Sequence, residues 1–167
     1  MSVELIPATL DDFAALEPID KECDAYFLFD PPNEDNHSCP LEKCLTEGDL
    51  PPGGVKENYY FYCLRQDSAL VGFLAFYLGY PDKETAYLSV LYIAQAHRGQ
   101  GIGTQALQAI QAMLPVYIKE IRLHVSLRNA TALCFWVRQG FDRIMNVECG
   151  GNLLPGIFGG IELMKTL

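Results

Sequence analysis

The chain has 167 residues, half of them hydrophobic, and a formal net charge of −9. That length builds one sizeable core and is short for two ordinary domains, so a single domain over residues 1–167 is expected. The acidic balance excludes a phosphate-backbone partner, which demands a basic face, and no apolar run approaches the ~20 residues that span a bilayer.

In chain order, residues 3–6 read as a short strand. Thr9-Leu10-Asp11-Asp12 then supplies a capping-box-like start to a helix reaching about Asp24, with Leu10, Phe13, Leu16 and Ile19 on its buried face. Residues 29–56 are rich in Pro, Gly, Asn and acids and read as loop with one short helix near 41–46. Loops of that length inside compact domains are commonly lids or binding segments. Three strand-like runs follow, at 58–65, 69–80 and 85–94, as an antiparallel meander whose first turn is Gln66-Asp67-Ser68. From Ile102 the period changes, with Ala106, Ala109, Ile110 and Met113 along one helical face and Pro115 as the stop. Residues 121–127 alternate as a strand, 129–139 read as a helix capped by Gly140, and 141–147 and 157–164 read as final strands.

The six cysteines at 23, 39, 44, 63, 134 and 149 form no CxxC pair, and the first residues show no basic stretch followed by an apolar one. A reduced, soluble, cytoplasmic protein is expected. Cys63 and Cys134 fall in apolar runs and are expected to pack in the core. Cys23, His37, Cys39 and Cys44 lack usual metal spacing, so no metal is expected.

Arg98-Gly99-Gln100-Gly101-Ile102-Gly103-Thr104 joins a strand to an amphipathic helix. Glycines there admit positive φ and close approach, and the helix N-terminus directs N–H groups outward, so the turn suits an anion, with Arg98 adding a charge-assisted contact. A dinucleotide fingerprint needs a third glycine where Thr104 stands, and a Walker A loop needs a lysine that this segment lacks.

Arg98-x-x-Gly101-x-Gly103 resembles the R/Q-x-x-G-x-G/A signature of the GNAT superfamily of acyl-CoA N-acyltransferases. Leu91-Tyr92-Ile93 resembles the end of that family's fourth strand, and Asn129 with Phe135-Trp136-x-x-x-Gly140-Phe141 resembles its second cofactor motif. The matching segments run from about residue 86 to 144. The resemblance implies an α+β fold with a mixed, mostly antiparallel sheet of six to seven strands, about four flanking helices, and splayed fourth and fifth strands. It implies acetyl-CoA as co-substrate. The main chain of Leu91, Tyr92 and Ile93 would hold the pantetheine arm as an added strand, amides of Gly99, Gln100, Gly101, Ile102, Gly103 and Thr104 would hold the pyrophosphate, and Asn129, Phe135 and Trp136 would contact the arm. For Asn129, simple helix capping is the alternative.

An amine attacks a thioester only after losing its proton, and the thiolate that leaves gains from a donor. His124 is the candidate base, on a strand face shared with Arg122 and Ser126; one branch of the family carries a catalytic Glu at the matching position. Another uses a Glu where Tyr87 stands here. The usual Tyr seven residues after the Asn is replaced by Trp136, an N–H donor and no practical acid. Water, Tyr92 or Tyr117 would then supply the proton, or catalysis would be lost, leaving an acyl-CoA-binding sensor or partner-binding module.

Residues 1–57 hold 14 acidic and 3 basic side chains. In the resemblance this is the acceptor side, which points to a cationic amine, either a small molecule or a protein N-terminus or lysine. Asp24, Asp30, Glu34 and Asp35 would attract it and Tyr26, Phe27 and Phe29 would wall it. Transfer to a hydroxyl instead, and a monomer or a homodimer, stay open.

Overall fold

The computed structural model describes residues 2–26, 39–149 and 159–167. Among the described residues seven strands form one sheet: β1 (Glu4–Pro7), β2 (Tyr59–Gln66), β3 (Ala69–Leu78), β4 (Thr85–Ile93), β5 (Glu120–Ser126), β6 (Arg143–Cys149) and β7 (Gly159–Thr166), in the order β1-β2-β3-β4-β5-β7-β6. All neighbours are antiparallel except β4 and β5. This is the mixed, mostly antiparallel sheet expected, with four α-helices among the described residues: α1 (Phe13–Tyr26), α2 (Leu41–Thr46), α3 (Ile102–Met113) and α4 (Ala130–Arg138).

Alternation along the strands divides the apolar side chains between two layers. On one face Leu64, Leu74, Ile121, Leu123 and Val125 pack with Ile102, Ala106, Leu107 and Ile110 of α3 and Trp136 of α4. On the other, Phe61, Cys63, Phe73 and Tyr92 pack with Leu16 and Cys23 of α1 and Leu41 and Cys44 of α2. Among the described residues no helix is long and apolar enough to cross a membrane.

Some expectations need correction. Leu10 is 52% exposed, because residues 10–12 form a 3-10 turn and the α-helical phase begins only at Phe13. Thr9 N–H does donate to the Asp12 carboxylate, at 2.9 Å. On α3 the buried stripe takes in Leu107 in place of Met113, which is exposed. Cys134 is exposed: two positions before the inward-facing Trp136, it lies about 200° around α4 from it.

The register contains one slip that matters for function. Ala75 pairs with Val90 and Phe76 with Leu88, which leaves Ser89 as an extra residue in β4. Ala86 and Leu88 face the α3/α4 layer before it; after it Leu91 and Ile93 do, and Tyr92 joins the α1/α2 layer. A bulge of this kind bends a strand and re-aims its side chains.

Candidate active site

β4 and β5 pair from Thr85↔Glu120 to Leu88↔Leu123 and no further. β4 runs on to Ile93 on the edge of β3, and β5 runs on to Ser126 on the edge of β7. The two strands therefore part beyond Leu88 and Leu123, one residue before the slip at Ser89, and leave a gap at their C-terminal ends.

The loop after β4 returns to that end of the sheet. Gly99 and Gly101 have φ of +74° and +78°, and Gly101 is the N-cap of α3. Side chains rarely adopt that region, so glycine at both positions lets the turn present its amides at the positive end of a twelve-residue helix. Gly103 has a different reason: a Cβ there would meet the Phe135 ring at 3.2 Å. Ile102 is buried and anchors the helix start. Gln100 Nε2 reaches the Ala96 carbonyl at 3.4 Å.

A cavity of about 690 Å³ lies between this loop and α4. Gly99 and Thr104 form one wall, and Thr131, Cys134, Phe135 and Arg138 the other. Gln139 Nε2 donates to Thr104 Oγ1 at 3.1 Å and ties the end of α4 to the first turn of α3. Asn129 is buried, and its Oδ1 accepts from Ala132 N–H at 3.0 Å as the cap of α4. Trp136 is buried, packed edge-to-face with Phe135 and Phe141 at centroid distances of 4.8 and 5.2 Å.

Arg98 is fastened to the protein. Its Nε donates to the Ile93 carbonyl at 2.9 Å, its guanidinium lies 5.0 Å from the Tyr92 ring centroid, and Nη2 lies 3.8 Å from Glu22 of α1. The Tyr92 hydroxyl donates to the same Glu22 at 3.0 Å, on the α1/α2 face. Burial and that hydrogen bond push the Tyr92 phenol up, so it parts with its proton less readily than a free tyrosine. Tyr117 lies past the opposite end of α3, roughly 18 Å along a helix of this length.

His124 is the first residue of β5 beyond the last pair with β4. Its neighbours Leu123 and Val125 point into the α3/α4 core, so its ring takes the opposite face with Arg122. Nε2 lies 3.7 Å from Glu148 Oε2 of β6. Glu162 is its cross-strand partner on β7, and Arg122 Nη1 contacts that carboxylate at 3.4 Å. Arg122 Nε also binds Glu120 at 2.6 Å, and Tyr87 is the β4 partner of Arg122. Burial, with Glu162 next, raises the Tyr87 phenol.

The structure thus brings Gly99, Thr104 and Phe135 to one cavity, and Leu91 and Ile93 to one side of the β4–β5 gap with His124 on β5 at its other side. Trp136 lies in the core, while the Tyr92 side chain turns to the other layer. Of the acceptor candidates, Asp24 and Tyr26 lie within α1, whereas Phe27, Phe29, Asp30, Glu34 and Asp35, like His37, lie outside the described residues. Glu22, Glu148 and Arg138 were not singled out by motif.

The acetyltransferase (GNAT) family model matches residues 19–141. The chain belongs to the GNAT acetyltransferase family. Its fold is similar to that of an acetyltransferase from Thermus thermophilus, at 28% identity and a TM-score of 0.74, over 100% of this chain and 98% of the other. It is also similar to the PaiA N-acetyltransferase of Thermoplasma acidophilum solved with coenzyme A, at 22% identity and a TM-score of 0.66 over 100% of both chains. A Salmonella typhimurium acetyltransferase that modifies the N-terminal serine of ribosomal protein L7/L12 gives 17% identity and a TM-score of 0.75, over 100% and 96%. The last two are likenesses of fold. No curated protein sequence matches. As a GNAT acetyltransferase the chain is an acyltransferase enzyme, which favours catalysis over the sensor reading that Trp136 raised.

Proposed function

We propose that this GNAT enzyme moves an acetyl group from coenzyme A to a primary, cationic amine by direct attack while both substrates are bound. The parting of β4 and β5 after Leu88 and Leu123 carries the reading, because it gives one opening with an anion loop at its end and His124 on the opposite face. The residues fit the co-substrate: glycine φ values and a helix N-terminus suit a pyrophosphate, and the adjoining cavity carries Phe135 and the cation Arg138. When bound, acetyl-CoA supplies an acyl group on a sulfur leaving group.

Residues of the chain do the rest. The main chain of Leu91 and Ile93 offers an edge for the arm, and the amides of residues 99–104 hold the pyrophosphate. His124 takes a proton from the ammonium so that its lone pair can attack, and Glu148 steadies the imidazolium that forms. Trp136 is buried and the Tyr92 hydroxyl is given to Glu22, so water protonates the departing sulfur. Support for a cationic acceptor comes from the 14 acidic side chains in residues 1–57 and from Glu148 and Glu162 beside His124.

The test is release of free thiol from acetyl-CoA with a panel of cationic, neutral and acidic amines. Cationic amines are expected to turn over with a KM that rises with salt. Efficient turnover of only neutral or acidic amines, with KM indifferent to salt, would discard the acceptor assignment.

A further inference from the structure

Glu22 belongs to no cofactor motif, yet it holds the cofactor loop from the far side of the sheet. Its Oε1 accepts from the Tyr92 hydroxyl at 3.0 Å and the Gln95 N–H at 2.6 Å, and Arg98 Nη2 lies 3.8 Å away. Those three donors come from seven consecutive residues that span the end of β4, the 3-10 turn Gln95–His97 and the start of the loop. The Tyr92 ring is itself fixed, stacked on Phe73 at 5.8 Å with the Arg98 guanidinium on it. Arg98 in turn grips the Ile93 carbonyl. One carboxylate on α1 therefore sets where the β4 edge ends and where the glycine turn begins.

We infer that Glu22 is a positioning residue for the co-substrate: from α1 it locks the β4 end and the glycine loop in the mutual placement that the arm and the pyrophosphate require together. This rests on the reading of that loop as the coenzyme A site. In that reading Glu22 acts through Tyr92, Gln95 and Arg98. Its effect belongs to binding, because a fixed loop presents its amides without the ordering cost that a loose one would incur. The charge is secondary: the Arg98 contact is the longest of the three and both partners are partly exposed. Two hydrogen bonds carry the placement, and an amide oxygen could accept both.

Calorimetric affinity for coenzyme A, steady-state kinetics and thermal melting of the full chain, wild type against Glu22→Ala, Glu22→Gln and Tyr92→Phe, test this. Glu22→Ala is expected to weaken coenzyme A and raise the acetyl-CoA KM about tenfold, the scale of re-ordering one loosened loop contact on binding, with kcat and the amine KM close to wild type. Glu22→Gln should recover most of the loss, and Tyr92→Phe should fall between wild type and Glu22→Ala. A purely structural role would lower the melting temperature and leave the affinity of the folded protein intact, which overturns the inference. So would equal losses in Glu22→Ala and Glu22→Gln. Should Glu22→Ala not fold, Tyr92→Phe decides: unchanged affinity overturns the inference, a weakened one with unchanged kcat supports it. A wild-type protein that bound no coenzyme A would instead overturn the reading of the loop itself.

Discussion

Leu88 and Leu123 are the last partners that β4 and β5 share, and the residue that follows Leu123 is His124. A side chain at the mouth of a widening gap, on the face opposite the α3/α4 layer, can meet a substrate that approaches from the α1/α2 side. His124→Gln is expected to lower kcat by roughly 10²-fold or more, the usual scale for a positioned base. The acetyl-CoA KM should hold. A near-wild-type rate with the true acceptor would remove His124 from the chemistry.

Gly103 and Phe135 are in near contact, so the third residue of the motif serves helix packing. Gly103→Ala should push Phe135 into the cavity and raise the acetyl-CoA KM several-fold, the cost of a small overpacking error of about 1 kcal/mol. Trimming the neighbour, as Gly103→Ala with Phe135→Leu, should relieve it. If the double variant is as poor as the single, the close approach in the structure is not the cause.

Arg138 is the cation on the cavity wall opposite Gly99 and Thr104, and among the described residues it has no carboxylate partner. A phosphate at that end of the cavity gains from it. Wild-type enzyme is expected to prefer acetyl-CoA to its 3′-dephospho form, and Arg138→Gln should shrink that ratio about tenfold, near 1.4 kcal/mol. Equal ratios for both proteins would place the 3′-phosphate elsewhere.

The phenols of Tyr59, Tyr62, Tyr87 and Tyr92 are all raised, chiefly by burial. Unfolded tyrosines ionise near pH 10. Raised folded values mean that the native state keeps protons the unfolded state gives up, so stability is full below about pH 10 and falls as pH rises toward the folded values. An alkaline absorbance titration should therefore show these four ionising only with cooperative unfolding. Their smooth ionisation before any loss of structure would contradict their burial.

Local signals told most of the fold. Glycine spacing and the change of period at Ile102 located the glycine turn and α3, and alternation located β2 to β5 within two residues. What failed was phase and distance. Leu10 lost its place because a 3-10 turn does not share the 100° step of an α-helix, and Cys134 because a run of apolar neighbours says nothing about which face of α4 turns inward. Glu22 meets Tyr92 across 70 residues. Glu148 meets His124 only because β7 lies between β5 and β6. No window of sequence contains such pairs; they follow from the strand order.

Ser89 bears on anyone who would edit this enzyme. A strand drawn as strictly alternating puts every residue from Val90 onward on the wrong side, so a graft or deletion designed on that assumption would exchange the residues that face the α1/α2 and α3/α4 layers. The Gln66-Asp67-Ser68 hairpin lies at the same end of the sheet, where Gly72 pairs with Ile93, so a shift in β4 length would be felt there too.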